Sequence, residues 1–227
     1  MFRLIALAMF LAFAMPCEWG SSATAFAASA AEPLRVVVTL PVLKDWVQQI
    51  GGSYVHVNSL MTGYESEHTY SPKPSDLVAV RKAALLFEVG AGLEVWVASL
   101  VKNAGNGSLR VVTTSKDIEL IQDHPEPAGT SHSHEHAAGN PQVWLDPAAA
   151  ATMVQHISDA MAAADPAHAT DYRTNTATYL QALTRVQDES LARLRSLPSR
   201  AIIVHHPAWP YFARRYDLHI AGTIQTQ

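Results

Sequence analysis

The chain has a single cysteine, Cys17, and it falls within the first thirty residues. Disulfide staples need pairs and a thiolate metal site needs several sulfurs, so the remainder can have neither, and any metal there is held by nitrogen and oxygen. A surplus of one charge is also lacking. Sixteen basic and twenty acidic side chains are mixed along the chain and leave a net charge of −4. There is no basic stripe of the kind a nucleic acid requires, and no nucleic-acid partner is expected. Long apolar runs are missing: Leu4 to Met15 is unbroken, but Pro16, Cys17, Glu18 and Gly20 stop it short of the roughly 20 residues of a membrane span. Hydrolase signatures are absent as well, with no H-E-x-x-H and no G-x-S-x-G, so no enzyme is expected.

What is present begins with an address. Arg3, the apolar run after it, and the small-x-small sites Ala25-Phe26-Ala27 and Ala28-Ser29-Ala30 predict a cleavable signal peptide over 1–30 and a periplasmic protein. An uncleaved anchor is the alternative. Ala14 and Pro16 fit poorly as the residues before a lipidated Cys17.

From residue 34 the texture alternates. Val36-Val37-Val38 reads as a buried strand, and Leu43, Trp46, Val47 and Ile50 then recur at helical spacing. Strands are also predicted at 54–60, 85–89, 109–113, 201–204 and 219–224, with helices at 74–82, 93–102, 147–164, 169–197 and 209–216. The alternation means βαβ units and parallel sheets, hence an α/β fold. Residues 122–141 interrupt it with three prolines, two glycines and four histidines, and read as a loop. The periodicity of Tyr172, Thr176, Tyr179, Leu183, Val186, Leu194 and Leu197 predicts one helix about 40 Å long over 169–197. The predicted organisation is an N-terminal α/β lobe over 31–168, that long helix, and the start of a second α/β lobe over 198–227. Two strands and one helix cannot cover both faces of a sheet, so the second lobe is expected to be incomplete.

Three loops after strands carry chemistry: Gly63-Tyr64-Glu65-Ser66-Glu67-His68-Thr69-Tyr70-Ser71-Pro72-Lys73-Pro74-Ser75-Asp76, Asn140-Pro141-Gln142-Val143-Trp144-Leu145-Asp146-Pro147, and His205-His206-Pro207-Ala208-Trp209-Pro210-Tyr211-Phe212. The first resembles the G-x-E-x-H-x-Y-x-P-x-P-x-D signature of the solute-binding proteins of zinc and manganese ABC importers. Gly90-Ala91-Gly92-Leu93-Glu94-Val95-Trp96 is similar to that family's G-x-G-L-E-x-W. The other two loops resemble its P-H-x-W-L-D-P and H-P-x-[FW]-x-Y-F-A-x-R-Y. All four stand in the expected order.

The resemblance implies two α/β lobes joined by a long rigid helix, with a metal ion in the cleft between them and an ABC permease in the inner membrane as partner. A monomer that undergoes small local rearrangements is expected. Of four implied ligands, the first is His68 and the third His206. The fourth, a carboxylate, would lie beyond Gln227. The second should be the histidine of P-H-x-W-L-D-P, where this chain has Gln142. An amide oxygen is a harder and weaker donor to zinc than imidazole. Gln142 is then a poor ligand, leaves its place to water, or is replaced by a histidine of the nearby loop.

That loop places His132, His134 and His136 at alternate residues, with His124 upstream. Such a cluster suits low-affinity metal capture, zinc rather than manganese, fading below about pH 6 as imidazoles protonate. A solvated polar loop is the plainer reading. Elsewhere His56 is expected to be a half-buried strand residue, and His156 and His168 to be solvated on helices. His205 should point away from His206. A secreted zinc hydrolase using Glu65 or Glu67 as base, a periplasmic zinc buffer and a truncated relative are the competing readings.

Overall fold

Three valines in a row suit a strand covered on both faces. The computed structural model, which describes residues 32–122 and 139–224, puts them inside a parallel sheet. β1 (Leu34–Val38) lies between β2 (Val55–Ser59) and β3 (Leu85–Glu88), and β4 (Arg110–Thr113) completes the order β2-β1-β3-β4. Val36 pairs with Val57 on one side and Leu85 on the other. Val36, Val37, Val38, Leu85, Leu86 and Phe87 are essentially removed from water.

The helices follow from equally local signals. α1 (Pro41–Gly51) buries Leu43, Trp46, Val47 and Ile50, and α4 (Pro147–Ala164) buries Met153, Val154, Ile157 and Met161, both at 3–4 spacing. α1, α2 (Pro74–Lys82), α4 and α6 (Pro210–Tyr216) each open on proline, whose fixed φ suits the first turn and whose missing N–H is not needed there. The chain steps from β1 outward to β2, then crosses back to β3. Right-handed crossovers therefore send α1 to one face and α2 with α3 (Val97–Ala104) to the other. α4 and α5 (Ala169–Arg195) pack with α1. Between β1 and β3 the connections leave in opposite directions, the point at which a parallel sheet opens a crevice at its carboxyl edge.

α5 is 27 residues long. Tyr172 and Thr176 are buried and Tyr179, Leu180 and Leu183 lean on the core, whereas Val186 is 56% exposed. β5 (Ala201–Val204), α6 and β6 (His219–Thr223) follow as a second βαβ unit, its two strands parallel with a register shift between Ile202 and Ile203. Ile203 and Ile224 stand 70% and 72% exposed, so this small sheet leaves apolar surface uncovered. The fold is α/β with parallel sheets. No helix among the described residues is long and apolar enough to cross a membrane. The expected signal peptide, 1–30, lies outside the described residues.

Several local expectations are corrected. α3 begins at Val97 rather than Leu93, because Gly90, Ala91 and Gly92 all take positive φ and the chain turns there first. His56 is exposed, since β2 is an edge strand whose His56 and Asn58 point outward while Val55 and Val57 pack inward. His156 is not simply solvated: its Nδ1 meets the Thr114 carbonyl at 2.9 Å. His168 precedes α5 in a 3-10 turn, stacks on Tyr54 at 3.9 Å and bonds to Asp165 at 2.7 Å.

Candidate metal site

The loop leaving the carboxyl end of β2 carries His68, and three neighbours stiffen it. Tyr70 is buried with its hydroxyl 2.9 Å from the Leu60 carbonyl and 2.8 Å from Asp76 Oδ2. Asp76, in the first turn of α2, also accepts the Lys73 N–H at 2.7 Å. Burial, reinforced by the Asp76 carboxylate, drives the Tyr70 phenol far above its ordinary range, so it remains a donor. Upstream, Glu65 accepts the Thr62 N–H and hydroxyl at 2.9 and 2.8 Å, and these bonds hold its carboxyl down at about 2. Trp96 donates its indole N–H to the Glu67 carbonyl at 3.1 Å and leans on the Tyr70 ring. His68 is half-buried, with Nε2 screened from solvent.

Trp96 belongs to a second anchored turn. Gly90 has φ 85°, and a Cβ there would meet Thr113 Cγ2 at 2.2 Å, so only glycine lets the turn lie this close to β4. The turn folds Glu94 back onto the strand ends. Its Oε1 accepts the Thr39 hydroxyl at 2.7 Å and the Val89 N–H at 2.8 Å, and Oε2 accepts the Gly90 N–H at 2.9 Å. Glu94 thus ties β1 to β3 at the switch point of the sheet. Burial raises its carboxyl to about 7, although all three donors pull the other way.

The Gln142 and His206 segments meet through Asn140. Its side-chain Oδ1 accepts the Gln142 N–H at 3.1 Å, and its Nδ2 donates to the carbonyl of Pro207, the residue after His206, at 3.2 Å. Gln142 is 4% exposed. His206 is half-buried and His205 exposed. Asp146 caps α4 by accepting the Ala148 N–H at 3.0 Å. Arg215 of α6 grips the same carboxylate through Nε and Nη2 at 2.6 and 2.7 Å, which raises the guanidinium pKa further.

Of the expected ligand positions, 142 and 206 are therefore on directly bonded segments, while His68 is held by the separate Trp96–Tyr70 system. Among the described residues no group of three or more His, Cys, Asp or Glu forms a metal cage. Glutamine in place of a second imidazole leaves one imidazole fewer among the expected ligand positions. His132, His134 and His136 lie outside the described residues. Sequence reasoning missed Glu94, Asn140, Tyr211 and Arg215 as organisers. For Asp146 a signal existed, since an aspartate directly before a proline-initiated helix is an N-cap pattern.

Residues 36–227 match the family described as ZnuA, zinc-uptake complex component A, periplasmic. The chain belongs to this family. The family is one of metal-uptake components, not an enzyme family. A Treponema pallidum (strain Nichols) protein named for metal binding is 31% identical over 192 residues, covering 82% of this chain and 60% of its own length. The manganese-binding lipoprotein MntA of Halalkalibacterium halodurans is 28% identical over 193 residues, covering 84% and 60%. A crystal structure of ZnuA superposes with a TM-score of 0.76 at 29% identity, over 86% of this chain and 72% of that one. The chain spans about 60% of the length of these two curated relatives.

Proposed function

We propose that this chain is a periplasmic solute-binding protein that captures a divalent metal ion and hands it to an ABC permease in the inner membrane. Zinc is the preferred cargo and manganese the alternative, and the protein acts as a monomer without chemical turnover. The observation that carries this reading is the His68 loop: a solvent-screened imidazole nitrogen on a loop clamped by Tyr70, Asp76 and Trp96 at the carboxyl edge of a parallel sheet. Family membership over residues 36–227 supports it.

The ion exchanges hydration water for His68, His206 and the Gln142 amide oxygen. Two imidazoles favour zinc, whereas the harder amide weakens zinc binding and narrows the margin over manganese. His132, His134 and His136 act as a low-affinity collector that works while the imidazoles are neutral, so uptake fades below about pH 6. A titration of zinc against a chromophoric chelator tests the assignment. His68→Ala and His206→Ala should each weaken binding by about a hundredfold. Unchanged affinity in both variants would refute the cleft site, and loss only on replacing the three loop histidines would make the chain a zinc buffer.

A further inference from the structure

We propose that Asn140 and Tyr211 form a latch fixing position 142 against position 206. Under the proposed function, on which this consequence rests, both are positioning residues for the metal. Asn140 is 5% exposed and joins several described residues: its N–H donates to Ile121 O at 2.8 Å, its carbonyl accepts the Tyr211 hydroxyl at 2.6 Å, and its amide serves Gln142 N–H and Pro207 O. The Tyr211 hydroxyl, on a fully buried ring, donates to that carbonyl and accepts the Ile121 N–H at 2.9 Å.

The placement argues for more than packing. A phenylalanine would fill the Tyr211 pocket with no polar atom to satisfy, so a buried hydroxyl is worth its desolvation only if both bonds are made. Tyr211 and Arg215 are one turn apart on α6, so the same helix face holds Asn140 at one end of the 140–146 stretch and Asp146 at the other. Prolines carry the restraint to the ligand positions. Pro141, with its fixed φ, separates Asn140 from Gln142, and the Asn140 amide grips the Pro207 carbonyl directly after His206. Position 142 therefore cannot shift without pulling on 206.

Two variants separate the contacts. Tyr211→Phe removes one hydroxyl. Asn140→Asp keeps an acceptor for the Gln142 N–H but loses the donor to Pro207. Amide hydrogen exchange is read on the metal-free chain, and affinity for zinc alone by chelator competition. For Tyr211→Phe we expect faster exchange over 139–146 and 204–209, with β1 and β3 as slow as in the parent. For Asn140→Asp the rise should be confined to 204–209, with the Gln142 amide still protected. Both variants should bind zinc about tenfold more weakly. Exchange unchanged in both stretches would overturn the latch, as would faster exchange across the whole sheet. Faster local exchange with zinc affinity unchanged would overturn the positioning role. A parent that takes up no zinc, with the exchange pattern as expected, would support the latch and refute the proposed function instead.

Discussion

At the scale of single residues, the side chains that organise the site are polar groups taken out of water, and each has its partners. Glu94 is the case with the most direct consequence. Its folded carboxyl titrates near 7, above the 4.5 of the unfolded chain, so folding favours the protonated form. That contribution is fully present below about pH 4.5 and lost as pH rises through 7; it amounts to on the order of 3 kcal/mol. Glu94→Gln should therefore melt at a temperature that depends less on pH between 4.5 and 7 than the parent's. Parallel melting curves across that window would contradict the assignment. His68, His206 and Gln142 stand in short motifs, so the sequence alone could single them out as expected ligand positions. Glu94, Asn140 and Tyr211 were not, because their roles exist only once residues as far as 90 positions apart meet.

Among the elements, strands and helices with strong local signals lie where periodicity puts them: α2 over Pro74–Lys82, α4 over Pro147–Ala164 and β5 over Ala201–Val204. α3 fails at its start because the Gly90–Gly92 turn is held by the Glu94 side chain, a contact invisible to periodicity. The α4 N-terminus bears a further prediction. The Asp146 carboxylate caps the helix and also pairs with Arg215, so Asp146→Ala should cost about 3 kcal/mol, against about 1–2 kcal/mol for Arg215→Ala. Chemical denaturation of both single variants and the double variant checks this. An Arg215→Ala cost equal to or above that of Asp146→Ala would contradict this ordering and point to the uncompensated Asp146 carboxylate as the larger effect.

For the molecule as a whole, α5 runs from the core of the first sheet toward β5 and β6, and α6 returns to bond the Asn140–Asp146 stretch. A helix joined by bonded segments resists wide hinge motion. Zinc addition should therefore leave the radius of gyration from solution scattering almost unchanged, and a clear contraction would count against a rigid joint. The α/β class and the parallel sheets were readable from the alternation of strand and helix, and the long helix from its hydrophobic period. How the segments carrying His68, Gln142 and His206 are held was not, because that depends on side-chain contacts across the sheet edge.

The proposed function requires a metal ion held with glutamine at its second ligand position. Calorimetric titration of zinc and of manganese into the chain from Glu32 onward, beside its Gln142→His variant, tests it most directly. One zinc ion should bind to the parent chain in preference to manganese, and binding should be at least about tenfold tighter in Gln142→His, with a wider margin over manganese. Absence of binding by parent and variant alike would contradict it.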